Sequence, residues 1–209
     1  MAFGDHQKPF KRTNHTTKPA NREREKELTF GIQSVTEALR SGQEIDKIMV
    51  QREGSFPEIQ QLAKERDIFV QRVPLQKLDQ ITRKNHQGAI AFMSAIRYVS
   101  LHNALTGVFE KGDTPLLLLL DRITDVRNFG AIARTAECMG VQALVVPVRG
   151  AAQINSDALK TSSGALNHLP VCRENSLLEA VRYLQQSGVR VIACTEKAEK
   201  NLAEADFTT

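Results

Sequence analysis

Residues 116–147 read LLLLLDRITDVRNFGAIARTAECMGVQALVVP. An apolar run ends at the charged pair Asp121 and Arg122. A polar loop leads to Asn128-Phe129-Gly130, then to a helical segment carrying Arg134, then to Gly140 and a second apolar run. Strand, loop, helix and strand in that order make one right-handed crossover unit of a parallel sheet. Ligands of such sheets bind beyond the carboxyl ends of the strands. Asn128 and Arg134 are therefore the first candidates for chemistry, both expected at that edge.

Outward from this stretch, 209 residues suffice for one large or two small domains. The net charge of +4 suits a nucleic-acid partner without requiring one. The three cysteines, Cys138, Cys172 and Cys194, have no metal or redox spacing. They read as small buried thiols of a protein in the reducing cytoplasm, and no metal is expected. No apolar run is long enough to span a membrane, and the amino terminus carries no apolar signal region.

The expected organisation has four parts. Residues 1–27 are polar and basic, with Lys8, Lys11, Arg12, Lys18 and Arg22 among them, and read as a disordered arm suited to RNA phosphates or to solubility. Residues 28–96 form a small α/β domain, 97–113 a linker with a possible helix at 101–109, and 114–209 a second α/β domain with a parallel sheet. In the first domain a helix is expected around Val35, Ala38 and Leu39, closed by Gly42, and a strand over 45–50. Ser55 and Glu58 have capping-box spacing for the next helix. A strand over 68–73, a helix opened by Pro74 and a strand over 89–96 complete the domain. His86, in Asn85-His86-Gln87-Gly88, is expected to shape a turn rather than to act on a substrate. In the second domain Asn155 or Ser156 caps a short helix, and Ser176 with Glu179 opens the helix 177–186. The run 189–194 reads as a strand with Thr195 at its carboxyl end. Taken alone, Asn128 reads equally as the cap of a helix over 130–139.

The residues Asp125, Asn128, Gly130, Ala131, Ile132, Arg134, Thr135 and Ala136 resemble the first motif of the SpoU, or TrmH-like, branch of the SPOUT RNA methyltransferases. The segments Phe30-Gly31-Ile32, Asn85-His86-Gln87-Gly88, Ala152-Gln153-Ile154-Asn155 and Ser163-Gly164-Ala165 are similar to the RlmB-like subgroup. The resemblance implies an N-terminal RNA-binding domain, a knotted SPOUT domain and S-adenosylmethionine as cofactor. It also implies a homodimer that methylates a guanosine ribose 2′-hydroxyl. Large-subunit ribosomal RNA is the expected substrate, with transfer RNA as the alternative. The family's later motifs, Gly-x-Glu-x-x-Gly and Ile-Pro-Met with Ser-Leu-Asn-Val-Ser, are not among these residues. The expectation is the front part of such an enzyme, with an incomplete SPOUT sheet.

Site roles follow from the same resemblance. Arg134 activates the hydroxyl, Asn128 positions Arg134 or the ribose, and Thr195 touches the cofactor. By position alone, Arg122, Arg127 and Arg149 read as loop residues on the active face, suited to RNA phosphates or, each taken singly, to solvated surface charge. A guanidinium with a pKa above about 12 is a donor and a poor literal base. Two expectations stand for Arg134: a nearby phosphate relays the hydroxyl proton, or Arg134 chiefly holds that phosphate and lowers the pKa of the hydroxyl. Two other readings compete: a non-catalytic RNA-binding protein, and a nucleotide-binding α/β protein. The loop 121–125 lacks the glycine-rich phosphate cradle that the last would need.

Overall fold

The computed structural model describes residues 27–199 and 201–204. Apart from Glu27, the basic arm expected over residues 1–27 lies outside the described residues. The chain builds two four-stranded sheets joined at residues 94–97.

The first sheet has the order β1-β4-β2-β3, with β1 at Leu28–Phe30, β2 at Ile45–Gln51, β3 at Val70–Val73 and β4 at Ala89–Met93. β2 and β3 are parallel, whereas β1 and β2 flank β4 antiparallel. Helices α1 (Ile32–Arg40) and α2 (Pro57–Glu65) cover one face, burying Val35, Leu39 and Ile59 against Ile48 and Val50. Helix α3 (Leu75–Ile81) covers part of the other face through Leu78, which packs with Met49 and Ile90.

The second sheet is wholly parallel, in the order β5-β8-β7-β6, with β5 at Tyr98–Val99, β6 at Leu117–Leu119, β7 at Ala143–Pro147 and β8 at Val171–Glu174. Helix α4 is Leu101–Glu110, α5 Val126–Cys138, α6 Ser156–Thr161 and α7 Leu177–Gln186. Helices α5 and α6 cover one face through Phe129, Ala133 and Ala158, and α4 and α7 cover the other through Leu105 and Leu184. Burial on both faces explains the unbroken apolar run at 143–146; at the edge strand β6 the half-buried Leu118 packs into one core and Leu117 and Leu119 into the other, while Leu116 is exposed.

Several expectations need correction. The linker expected over 97–113 holds β5 and α4, both part of the second sheet's layers, because Tyr98 and Val99 pair with Val171 and Cys172. The Ser55–Glu58 capping box does not form: Phe56 is the N-cap residue without a side-chain bond, and Pro57 opens the helix. Residues 189–195 form no strand, since they pair with neither sheet; Val189 and Val191 instead pack on the α7 side of the core. Of the three thiols only Cys172, on β8, is buried; Cys138 ends the outer face of α5 and Cys194 lies in the unpaired segment. Burial, with Glu174 adding to it, pushes the Cys172 pKa up to about 12. A thiol reagent at neutral pH should therefore label Cys138 and Cys194 in the native chain, and Cys172 after denaturation; rapid labelling of all three without denaturant would contradict this burial.

Among the described residues no helix is long and apolar enough to cross a membrane.

The two units meet through a buried polar cluster. Asp46 of β2 accepts from the Tyr98 hydroxyl at 2.7 Å and from Arg173 Nη1 at 3.2 Å, and its backbone carbonyl accepts from the same Nη1 at 2.9 Å. The Arg173 and Asp46 side chains are only 10% and 11% exposed. The Arg173 guanidinium lies 4.4 Å from the Tyr98 ring centroid. Burial, then the Asp46 carboxylate, raises the Tyr98 pKa far above its ordinary value, so the phenol remains the donor. Further ties are Ser156 N–H to Glu27 at 2.8 Å, Ala95 N–H to the Ile154 carbonyl at 2.9 Å, and Arg149 over the Phe69 ring at 4.6 Å. Most of these second-unit residues lie near or beyond the strand carboxyl ends, so the small domain sits over that edge.

Candidate RNA-facing site

Helix α5 begins directly after the loop that follows β6. Asp125 is its N-cap residue, accepting from Asn128 N–H at 2.6 Å. Such a cap satisfies one of the orphan donors of a helix start. Asn128 therefore stands in the first turn, and the helix starts four residues before the expected 130. Arg127 is likewise a helix residue rather than a loop residue. Phe129, Gly130, Ala133 and Ala136 form the buried face; Arg127, Asn128, Arg134 and Thr135 are exposed.

At about 100° and 1.5 Å per residue, Arg127 and Arg134 lie nearly one above the other, whereas Asn128 and Arg134 point about 120° apart. The structure does not bring Asn128 and Arg134 together. Asn128 stands at the carboxyl edge, but Arg134 lies about 12 Å down the helix from Val126, away from that edge. Neither side chain, nor that of Arg127, has a polar partner among the described residues.

Gly130 has a packing reason. A Cβ there would stand 2.8 Å from both the Ala158 carbonyl oxygen and Thr161 Cβ, and 3.1 Å from Ser162 N. The absent side chain lets α6 cross α5 backbone to backbone. Gly130→Ala normally gains up to about 1 kcal/mol of helix propensity, but overpacking costs about 1–3 kcal/mol. We expect a net loss of about 1–2 kcal/mol, lowering the melting temperature by about 2–4 °C per kcal/mol. An unchanged or raised melting temperature would show that α6 is free to move aside.

The loops after β6 and β7 are tied by Ala152 N–H to the Ile123 carbonyl at 2.7 Å. Arg122, at φ 55, pairs with Asp121 at 2.9 Å; its side chain is 82% exposed. Arg149 is held over Phe69 across the domain junction. Of the three arginines expected to meet phosphate, Arg122 is thus paired with Asp121 at the surface, Arg149 is stacked, and Arg127 stands open beside Asn128.

The turn residues of the small domain serve structure. The Gln87 amide oxygen accepts from Ile32 N–H at 3.1 Å, capping α1 just beyond Gly31 at φ 93. His86 is buried; its Nδ1 accepts from Gly88 N–H at 3.0 Å, and Nε2 meets Asp79 at 3.0 Å. The proton therefore belongs on Nε2, and His86 locks the turn as expected.

A cleft of about 1140 Å³ runs between α3 and the β1–β4 pair on one side and Val126, Gln153 and Asn155 on the other. The start of α5 thus opens onto it. A smaller cavity of about 460 Å³ lies at the opposite, amino-terminal end of the second sheet, beside Asp113, Gln142 and Pro170.

Thr195 is exposed, and among the described residues its hydroxyl meets Glu196 and Lys197 N–H, both at 3.4 Å. An open turn of this kind gives a nucleoside cofactor an edge but no enclosure, so these residues do not make up a cofactor pocket. Among the described residues no cluster of three or more His, Cys, Asp or Glu is placed to hold a metal.

Sequence reasoning missed the Asp125 cap, although Asp three residues before a helix N–H is a readable signal. It also missed the Asp46–Tyr98–Arg173 cluster, whose members are far apart in the chain and carry no local pattern.

Comparison with known proteins gives two family matches. The SpoU rRNA Methylase family matches residues 115–209, and the RNA 2′-O ribose methyltransferase substrate binding family matches residues 28–99. YacO of Bacillus subtilis, named in the TrmH family of tRNA/rRNA methyltransferases, is 31% identical over 183 residues, covering 86% of this chain and 74% of its own length. A relative from Staphylococcus haemolyticus, likewise named in the TrmH family of tRNA/rRNA methyltransferases, is 33% identical over 185 residues, covering 87% of this chain and 71% of its own length. A solved RNA 2′-O ribose methyltransferase is 22% identical with a TM-score of 0.41, covering 91% of this chain and 75% of its own. AviRb of Streptomyces viridochromogenes, a SpoU methyltransferase solved with AdoMet, is 20% identical with a TM-score of 0.38 and covers 77% of this chain. The chain spans only 58% of AviRb.

Proposed function

The chain belongs to the SpoU, or TrmH-like, family of RNA methyltransferases, and from that premise we propose that the protein methylates a ribose 2′-hydroxyl of RNA with S-adenosylmethionine as methyl donor. The observation that carries this reading is the Asp125–Ala136 motif on α5, placed directly after a parallel strand with its first turn open to the interdomain cleft.

The cofactor supplies a methyl carbon already attached to a sulfonium leaving group. What remains is to hold the 2′-oxygen in line and ease its deprotonation. Arg134 does this as a cation: its guanidinium holds an RNA phosphate bidentately and lowers the pKa of the adjacent hydroxyl. Asn128 and Arg127, in the first turn of α5, hold a neighbouring nucleotide of the same strand at the carboxyl edge. Arg122 and Arg149 add phosphate contacts once RNA displaces Asp121 and the Phe69 ring. Thr195 borders the methyl donor.

Because Arg134 faces away from the chain's own core, the surface that completes its site approaches α5 from outside. The homodimer implied by the RlmB-like resemblance supplies such a surface. The same resemblance points to a guanosine of large-subunit ribosomal RNA rather than transfer RNA. A purely RNA-binding role accounts for the small domain but leaves the Asn128-to-Arg134 spacing without a use.

Calorimetric titration with S-adenosylmethionine tests the assignment. The chain continued past Thr209 by the family's Gly-x-Glu-x-x-Gly and Ser-Leu-Asn-Val-Ser segments should bind the cofactor stoichiometrically. Absence of binding by that folded, extended protein would remove the enzymatic reading.

A further inference from the structure

The small domain is seated on the second unit along a single line, with one tie to each strand of its sheet. Glu27, just before β1, accepts from Ser156 N–H at 2.8 Å. Ala95 N–H, just after β4, donates to the Ile154 carbonyl at 2.9 Å. Asp46, at the start of β2, holds Tyr98 and Arg173 at 2.7 and 3.2 Å. Phe69, just before β3, carries the Arg149 guanidinium at 4.6 Å. Because β4 runs antiparallel to β1 and β2, and β3 parallel to β2, these four points lie at one end of the sheet, in a row of about 14 Å. The connection between the units has little slack: it is residues 94–97, and Ser94 N–H is itself bonded to the Glu44 carbonyl at 2.9 Å.

Domains joined by a polar interface ordinarily move against each other. A single tie would be a pivot, whereas four in a row fix where the small domain stands along the edge and block its rotation in the sheet plane. Resting on the RNA methyltransferase reading, we propose that this seat, built around the buried Asp46, selects the nucleotide that is methylated. Asp46 is a positioning residue: it touches no substrate and acts through Tyr98 and Arg173.

The groups on α5 do not choose a nucleotide by themselves. Arg134, Arg127 and Asn128 are placed for phosphate and ribose, which are the same at every nucleotide. RNA held by the small domain, which matches the substrate-binding family over residues 28–99, must then be delivered at a fixed distance from α5. A displacement of about 1 Å can cost about 10²-fold in rate, so a fixed seat favours one position strongly. The polar make-up of the cluster suits this use. Hydrogen bonds to Asp46 hold in one direction, while an apolar contact of equal area tolerates sliding.

Two measurements test the seat. In the first, the 209-residue chain carries spin labels at Lys64→Cys on α2 and Gln185→Cys on α7, both exposed, with Cys138→Ser and Cys194→Ser, and is diluted with unlabelled chain. It should give one narrow distance, which Tyr98→Phe, Asp46→Leu and Arg173→Met together should broaden at an unchanged RNA affinity. In the second, the chain extended through the family's cofactor segments methylates a large-subunit ribosomal RNA transcript with labelled cofactor. One nucleotide should take about 100-fold more label than its neighbours, and the triple variant should spread the label over them to within about tenfold. If the triple variant melts early, Phe69→Ala, which removes the β3 tie alone, takes its place with the same two readouts. A broad distance in the unaltered seat, an unbroadened one in the variant, or a broadened variant that still marks one nucleotide would overturn the proposal and leave the methyltransferase reading intact. No methyl transfer by the unaltered extended chain would overturn the methyltransferase reading, and the selection with it.

Discussion

Replacing Arg134 with Lys should lower methyl transfer by about 10²–10³-fold in the cofactor-competent protein, with little change in fold. The magnitude is that of losing one preorganised donor to developing negative charge. Lysine keeps the charge but not the planar fork, so it cannot hold a phosphate bidentately. The helix should not notice the exchange. Arg134 is exposed on α5, without a polar partner among the described residues, and Lys has nearly the same helix propensity. Single-turnover rates with saturating RNA separate chemistry from binding: we expect the rate constant to collapse while RNA affinity changes only a few-fold. A near-normal rate would deny Arg134 any role beyond supplying charge. A rate lost together with the melting temperature would mean a structural role instead.

The second large effect concerns the junction of the two units. Asp46→Ala should destabilise the chain by about 3–5 kcal/mol, because it strands the Arg173 charge with its side chain only 10% exposed. That is a large part of an ordinary total stability of about 5–15 kcal/mol. The loss comes from the uncompensated charge rather than from the worth of the pair. Asp46→Leu combined with Arg173→Met should therefore recover much of it. Urea unfolding of the single and double variants makes the comparison. A loss below about 1 kcal/mol for Asp46→Ala would place the pair in the range of exposed salt bridges and contradict its burial.

What the sequence disclosed follows the range of the interactions involved. The crossover unit was legible because its signals are local: apolar strands β6 and β7, an intervening helical period, and Gly140 at its close. The capping pattern of Ser176 and Glu179 is local too, and Ser176 accepts from Glu179 N–H as expected. The same pattern at Ser55 and Glu58 failed because Pro57 at the first helical position moved the cap to Phe56. The run 189–194 has strand composition, but a strand exists only through a neighbour's ladder, which no local pattern supplies. The segment 97–113 read as connective because a two-residue strand, Tyr98–Val99, is too short to show alternation.

At the site, the motif gave residue identities but not their directions. Arg127 was classed with the loops although it shares the α5 stripe of Arg134. Asn128 and Arg134 were joined by motif membership although the helix turns them apart.

Whether α5 serves ribose methylation of RNA is decided by where the methyl group lands. The chain extended through the family's cofactor segments is incubated with RNA and S-adenosylmethionine labelled in the methyl carbon, and the RNA is then hydrolysed in alkali. Alkaline cleavage needs a free 2′-oxygen, so label on that oxygen must be recovered in alkali-resistant dinucleotides, and Arg134→Lys must reduce that yield. Label recovered in mononucleotides, on the bases, would contradict ribose methylation by this protein.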